Sequence, residues 1–183
     1  TGISAPPIGI TNKIPNTNIW IPEHILEKVK NKIPKNAKKI LCLGLGANSS
    51  HKIWPTSNYV ELCNLLANKF DTFILLGSKN EQHYSKFFKK DFNGNVIDLC
   101  GYLTIIESAA VLKMADFFIG NDSGLGHIAS ATKTKSFTIF GEGSPLRYKP
   151  WGVASYFYQN HEKDINLIDV ETIYQNINKP RIL

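Results

Sequence analysis

The amino-acid sequence predicts an α/β fold, in which helices cover both faces of a doubly wound parallel sheet of about six strands. Three observations predict it. From Lys38 onward, short apolar runs alternate with segments whose apolar residues recur at helical spacing. Most of the runs are apolar at consecutive positions, as in strands that are buried on both faces. Small and polar residues follow the runs directly, where the loops of a parallel sheet gather at one edge.

Six apolar runs are the strand candidates. They are short and contain mostly Ile, Leu, Val, Phe and Tyr, the residues that fit a buried sheet. Because helical patterns separate them, they are typical of strand–helix–strand units in a Rossmann-like sheet. The runs are residues 39–45, 72–77, 95–99, 116–120, 136–140 and 154–158.

The strongest helix prediction lies between the first two strands. Apolar residues over 59–67 recur at i, i+3, i+4, i+7 and i+8, which makes one stripe on a helix that begins near Thr56. A capping box, Thr104 followed three residues later by Glu107, predicts a second helix over 105–114. Weaker helical patterns cover residues 22–33, 81–90, 124–132 and 170–178.

The chain divides into a short leading segment and one larger domain. A chain of 183 residues with 43% hydrophobic residues can bury one sizeable core. We expect residues 38–183 to form that Rossmann-like domain and residues 1–37 to form a linker with an appended helix. The opening TGISAPPIGITNKIPNTN is typical of a connecting segment, so we expect the start of a longer protein to be missing.

The composition favours a soluble chain in a reducing compartment. No run of about 18 apolar residues predicts a membrane-spanning helix, and no charged-then-apolar leader is evident. Cys42, Cys63 and Cys100 are widely spaced within apolar stretches, which is typical of buried reduced thiols. We therefore expect a cytoplasmic protein.

The net charge of +6 raises the question of an anionic partner. Much of the charge comes from scattered lysines, without an arginine cluster or interleaved aromatic residues. This pattern favours a solvated lysine-rich face, and we expect no nucleic-acid partner.

The loop after the first strand, GLGANSSHKIWP, has the composition of an anion-binding turn. Its small residues let a ligand approach the backbone, and Asn48 and Ser49 offer neutral polar groups. Lys52 supplies a mobile cation that suits phosphate oxygens and is the candidate catalytic cation. The loop is neither a Walker loop nor a complete G-x-G-x-x-G fingerprint. An ordinary turn with a surface lysine is the alternative.

The loop after the fourth strand, GNDSGLGH, runs into a helix. The first turn of such a helix, here at Ser123 and Gly124, presents free N–H groups and the positive end of the dipole to an anion. Asp122 either caps this helix or accepts hydrogen bonds from sugar hydroxyls. His127, one turn later, either reaches a phosphate or donor hydroxyl or is a packed structural residue.

Two further loops contribute one candidate each. Glu81 follows the second strand, where a carboxylate can bind both hydroxyls of a ribose or can simply complement the dipole of the next helix. Leu103 follows the third strand, where it either contacts a nucleobase or packs in the core.

The sequence lacks several motifs that carry other chemistries. It contains no H-E-x-x-H, no paired Cys-x-x-Cys and no serine nucleophile elbow. Metal hydrolysis and acyl transfer therefore have no local support, and we expect neither a metal nor another cofactor.

Taken in order, five segments resemble the donor-binding domain of glycosyltransferase family 9, which includes the lipopolysaccharide heptosyltransferases. The resemblance covers about residues 38–152 and implies a GT-B architecture, in which two Rossmann-like domains face each other across a cleft. This chain would be the C-terminal half. The resemblance also implies metal-independent transfer with inversion, usually from ADP-heptose. The segments are GANSSHKIWP, LLGSKNE, NVIDLCGYLTIIESAAVL, ADFFIGNDSGLGHIASA and FGEGSPLRYKPWG.

The same resemblance assigns roles by motif position. Lys52 falls on the family's lysine that contacts the donor phosphates, and Asn48 and Ser49 fall on the polar turn before it. Asp122 falls on the family's sugar-contacting aspartate. The other assignments are Glu81 to the ribose, Leu103 to the nucleobase, and Ser123, Gly124 and His127 to the helix start that binds the diphosphate.

We therefore expect a nucleotide-sugar-binding domain of an inverting glycosyltransferase, acting on a lipopolysaccharide-type glycan or lipid-linked acceptor. The resemblance places the catalytic base and the acceptor on the missing N-terminal domain and leaves peripheral association with the inner membrane open. A non-catalytic nucleotide-binding module, or a degenerate transferase domain, is the alternative. A dinucleotide-dependent oxidoreductase is disfavoured, because Leu76 and Gly77 end the second strand where an acidic residue is expected.

Overall fold

A computed structural model of the chain describes residues 17–152 and 154–178. In these ranges, six parallel strands form one sheet and the helices connect them. The elements are, in chain order, α1 (Glu23–Lys30), β1 (Ile40–Gly44), α2 (Thr56–Leu66), β2 (Thr72–Leu76), α3 (Gln82–Asp91), β3 (Val96–Asp98), α4 (Ile105–Met114), β4 (Phe117–Asn121), α5 (Gly124–Ala131), β5 (Ser136–Phe140), α6 (Pro145–Tyr148), β6 (Ser155–Gln159) and α7 (Val170–Asn178).

The strand order is β3-β2-β1-β4-β5-β6. After β3 the chain crosses back to lay β4 beside β1, so the direction of winding reverses between these two strands. Their carboxyl ends are adjacent, because Gly44 of β1 pairs with Gly120 of β4. The loops that follow β1 and β4 therefore flank a crevice, which is where open α/β sheets bind their ligands.

Helices cover the sheet on both faces. Successive residues of β1 point to opposite sides, and all five are buried. Leu41 and Leu43 pack in a cluster with α2, α3 and α7, whereas Ile40 and Cys42 pack with α1, α4 and α5. The predicted doubly wound sheet is confirmed.

The six predicted strands are all present, and each bound differs from the prediction by at most one residue. The fifth strand, Ser136–Phe140, matches in full. β3 is the shortest strand and is only partly buried, because it lies at one edge of the sheet. The agreement follows from burial on both faces, which demands continuous apolar runs.

The predicted helices agree less evenly. The capping box at Thr104 is formed, and α4 and α7 have the predicted bounds. The first helix, predicted to Ile33, ends instead at Lys30, because Lys32 and Ile33 donate to carbonyls three residues earlier and form turns. The third begins one residue late, since Lys79–Glu81 form a 3₁₀ turn. The short helix α6 was not predicted.

Helix α1 packs on the domain through its buried face. Val29 is fully buried in the cluster that contains α4, and the ammonium of Lys28 lies 2.6 Å from the carboxylate of Glu107. The predicted linker lies outside the described residues over 1–16. The division of the chain at residue 38 stays a prediction.

The composition led to predictions about the cysteines and about membrane-spanning helices. The thiols of Cys42, Cys63 and Cys100 are all free and buried, as predicted. Among the described residues, no helix is long and apolar enough to cross a membrane.

Candidate functional site

A cavity of about 720 Å³ opens at the carboxyl edge of the sheet. Its lining comes from the loops after β1, β2, β3 and β4 and from the first turns of α4 and α5. Leu103, Leu125 and Ile128 contribute apolar side chains to the lining. Asn48 and Glu81 contribute polar ones. The cavity thus offers apolar surface to a flat group and polar side chains to hydroxyl groups.

The ammonium of Lys52 and the carboxylate of Asp122 meet at the crevice between β1 and β4. Lys52 lies in a single 3₁₀ turn, Ser50–Lys52, and its Nζ donates to Oδ2 of Asp122 at 2.7 Å. The side chain of Asp122 is only 8% exposed, whereas that of Lys52 is 30% exposed. An ammonium has three donors, so Lys52 retains donors for a second acceptor while it contacts Asp122.

Helix α5 begins at Gly124, two residues after Asp122. Ser123 is its N-cap residue, yet the hydroxyl does not cap the helix and is buried without a hydrogen-bond partner in the described part of the chain. A Cβ atom built on Gly124 would meet nothing within 4 Å, so a ligand has room at this point. The unpaired N–H groups and the helix dipole make this end electropositive.

The cation and the helix tip therefore lie on the same side of the molecule. Lys52 contacts Asp122, which directly precedes Ser123, and Ser123 and Gly124 both line the cavity. The sequence predicted that these two groups converge on one diphosphate, and the binding of a diphosphate between them stays a prediction. The roles of the individual residues in binding stay predictions.

Glu81 lines the cavity and is engaged in a capping box. Its Oε2 accepts from the backbone N–H of Ser78 at 2.5 Å, and the Ser78 side chain accepts in return. A Cβ atom on Gly46 would lie 2.0 Å from Oε1 of Glu81, so the carboxylate packs directly over the backbone of that glycine. The capping interaction is observed, and binding of a ribose stays a prediction.

The remaining candidates separate into two groups. Asn48 and Leu103 line the cavity. Ser49 and His127 do not: the hydroxyl of Ser49 lies 3.1 Å from the ring of His51, and the side chain of His127 is exposed on α5. His127 is therefore not in the packed structural position that was one of its two interpretations.

Sequence reasoning assigned no role to Asn121, yet its side chain makes four hydrogen bonds beside this site. The residue is fully buried at the end of β4. Its amide donates to the carbonyls of Leu45 and Gly46, at 2.9 and 3.4 Å, and accepts from the backbone N–H of Trp54 and the hydroxyl of Tyr59, at 3.0 and 2.9 Å. A polar residue at the end of the apolar run FFIGN was the available signal.

The family is decided by comparison with known proteins. The model of glycosyltransferase family 9 (heptosyltransferase) matches residues 4–177 of the chain. The chain belongs to glycosyltransferase family 9. A curated member, lipooligosaccharide heptosyltransferase 2 of Campylobacter jejuni, is 33% identical over 123 residues, which are 65% of this chain and 39% of that protein.

Solved structures of family 9 members share the fold. A glycosyltransferase family 9 protein of Veillonella parvula superposes with a TM-score of 0.84 at 14% identity, over 93% of this chain and 56% of that one. The Escherichia coli heptosyltransferase WaaC with ADP superposes with a TM-score of 0.72 at 20% identity, over 84% of this chain and 48% of that one. The chain thus spans about half the length of these family members. The predicted Rossmann-like fold is thus shared with these structures.

Proposed function

We propose that this chain is the donor-binding part of an inverting heptosyltransferase. It holds ADP-heptose while the heptose is transferred to a lipopolysaccharide-type glycan in the cytoplasm. The observation that carries the proposal is the contact between Lys52 and Asp122 at the tip of α5, because it joins a cation to an electropositive helix end beside the cavity.

The names of related proteins support the donor class. A WaaC structure contains ADP and another contains ADP-2-deoxy-2-fluoro heptose. The curated relative in Campylobacter jejuni is named for heptose transfer to lipooligosaccharide. We carry these over as a proposal for the donor and for the acceptor class.

The diphosphate is the leaving group in such a transfer. A hydroxyl oxygen of the acceptor bonds to the anomeric carbon from the opposite face, and the bond from that carbon to the diphosphate oxygen breaks. Negative charge then grows on the diphosphate, and Lys52 with the first N–H groups of α5 stabilises it. Donors that are already aimed at a developing charge are the most effective electrostatic catalysts.

The other proposed contacts use the polar and apolar side chains that line the cavity. Glu81 would accept from ribose hydroxyls, and Leu103 would pack against the base. One oxygen of Asp122 holds Lys52, which leaves the rest of the carboxylate for a sugar hydroxyl. Asn48 also lines the cavity and offers a neutral polar group.

The proton of the acceptor hydroxyl needs a base. The resemblance to family 9 assigns that base to the N-terminal domain. We therefore expect the 183-residue chain by itself to bind ADP and to transfer little or no sugar. General-base catalysis contributes about 10² to 10⁴-fold, which is the scale of the expected loss.

Calorimetric titration of the chain tests the donor class. ADP should bind more tightly than NAD. Titration with UDP shows whether the site distinguishes adenine from another nucleobase. Equal or tighter binding of NAD, or no binding of ADP, would overturn the proposal.

A non-catalytic nucleotide-binding module is the second candidate, and one observation favours it. The roles proposed for the candidate residues are all binding roles, and none of these residues is proposed as the base. ADP release from ADP-heptose by the full-length gene product, in the presence of a lipopolysaccharide core acceptor, decides between the two. No release above the uncatalysed rate, together with tight ADP binding, would favour the binding module.

A further inference from the structure

We infer that Asn121 is a positioning residue for Lys52. Its buried amide fixes both ends of the loop over residues 45–54, which presents the ammonium of Lys52 to the diphosphate. The inference rests on the proposed function and names a residue that this function requires but that does not touch the donor.

The first end of the loop is fixed through two carbonyls. Nδ2 of Asn121 donates to the backbone oxygen of Leu45 at 2.9 Å and to that of Gly46 at 3.4 Å. These residues directly follow β1, at the point where the loop leaves the sheet. The loop therefore begins at a defined place beside β4.

The second end is fixed through the amide oxygen. Oδ1 of Asn121 accepts from the backbone N–H of Trp54 at 3.0 Å and from the hydroxyl of Tyr59 at 2.9 Å. Trp54 is fully buried, and its indole N–H donates to the carbonyl of Ile168 at 2.8 Å. The loop thus ends at a fully buried residue of the core.

The orientation of this amide is determined by its partners. Two carbonyls lie on one side and a backbone N–H lies on the other, so only one assignment of its oxygen and nitrogen makes all four hydrogen bonds. Both donors and both acceptor positions of Asn121 are occupied. A buried amide satisfied in this way holds its partners firmly, because each broken bond would leave a buried polar group unpaired.

Lys52 lies between the two fixed ends, two residues before Trp54. The acceptor of its ammonium is Asp122, the residue that follows Asn121. The last residue of β4 thus holds the backbone of the loop, and the residue after it holds the charged end of the lysine. This arrangement sets the distance between the cation and the tip of α5, and binding constellations need positions good to about 0.5 Å.

An amide is required at this position for a chemical reason. Aspartate has nearly the same shape and still accepts from Trp54 and Tyr59, but it has no NH₂ group and cannot donate to both carbonyls. Asn121→Asp therefore releases the first end of the loop and keeps the second. Asn64→Asp, on the exposed face of α2, makes the same chemical change away from the site.

A double-mutant cycle with ADP tests whether Asn121 acts through Lys52. We would titrate ADP into the unaltered chain, Asn121→Asp, Lys52→Met and the double variant, after circular dichroism has shown that each is folded. We expect Asn121→Asp to weaken ADP binding roughly tenfold, within the range that coupled residues show. In the Lys52→Met background the same change should have almost no effect, because the cation it positions is gone. Asn64→Asp should leave the affinity unchanged.

Three results would contradict these proposals, and they distinguish a failure of the inference from a failure of the proposed function. An equal effect of Asn121→Asp in both backgrounds would mean a general structural role and would overturn the inference alone, as would an unchanged affinity. No ADP binding by the unaltered chain would overturn the proposed function and the inference with it. Should Asn121→Asp fail to fold, Asn121→Ser, which keeps one donor and one acceptor group, takes its place in the cycle.

Discussion

Lys52 and Asp122 are 70 positions apart in the chain, yet their charged atoms lie 2.7 Å from each other. Lys52 follows β1 and Asp122 follows β4, and these strands are neighbours only because the winding of the sheet reverses between them. The ion pair thus joins the two loops that flank the crevice. It leads directly to the first prediction.

Lys52→Met should weaken binding of ADP about 10- to 100-fold, the loss expected when a charged group that donates to an anion is removed. Methionine keeps most of the length and apolar volume of the side chain, so packing should change little. Calorimetry measures the affinity, and Lys90→Met, on the exposed end of α3, is the matched control. Equal effects of the two substitutions would show that only overall charge matters.

Gly46→Ala should alter the cavity, because the new Cβ would lie 2.0 Å from Oε1 of Glu81. The carboxylate has to move away, which breaks its hydrogen bond to the N–H of Ser78. We expect a loss of about 1 kcal/mol in the free energy of unfolding, the usual cost of a lost cap, and weaker ADP binding. Urea unfolding followed by circular dichroism measures the first effect.

Gly124→Ala is the matched control for that substitution. Its Cβ would meet nothing within 4 Å, and alanine favours the first turn of α5 by up to about 1 kcal/mol. Stability should therefore stay the same or rise. A comparable loss of stability in both variants would contradict the proposed contact between Gly46 and Glu81.

Glu107 should make the stability depend on acid pH. The ammonium of Lys28, followed by the N–H and hydroxyl of Thr104, lowers the pKa of Glu107 from 4.5 to about 2. A carboxylate with a lowered pKa stabilises the folded state above its unfolded pKa. That stabilisation is lost as the pH falls from 4.5 through about 2.

Glu107→Gln tests this dependence. The variant should be less stable than the unaltered chain at neutral pH, and the difference should shrink as the pH falls through that window. Urea unfolding at a series of pH values measures it. Glu61→Gln, on the exposed side of α2, should change stability little. A difference for Glu107→Gln that is constant with pH would rule out the ionised carboxylate as the cause.

The three cysteines should resist thiol reagents in the folded protein. Burial raises the pKa of Cys42 and Cys63 well above the usual range, and burial with the nearby Asp98 raises the pKa of Cys100 to about 12. A thiolate is the reactive form, so the Ellman reagent should label them only as fast as the chain unfolds. Labelling in urea provides the reference, and rapid labelling of the folded chain would show that a thiol is accessible.

Much of the fold was predictable because its signals are local. Continuous apolar runs predicted each strand to within one residue, since burial on both faces requires them. The capping box at Thr104 predicted the start of α4, because its two hydrogen bonds involve residues only three positions apart. The helix over Pro145–Tyr148 lacked such a signal and was missed.

The candidate site was predictable in part. Asn48, Glu81, Leu103, Ser123 and Gly124 line the cavity because carboxyl ends of parallel strands gather at one edge. The sequence could not show that Ser49 turns to His51, nor that Glu81 is already engaged with Ser78, because both depend on side-chain orientation.

By itself, the sequence determined the class of fold, the strands, the best helices and the loops in which chemistry resides, because periodicity and composition act over a few neighbouring residues. Only the tertiary structure decided which loops meet. The reversal of winding between β1 and β4 brings Asp122 to Lys52 and places the amide of Asn121 against a loop more than sixty residues earlier in the chain. Contacts of this kind depend on strand order and burial, which no local pattern of residues encodes.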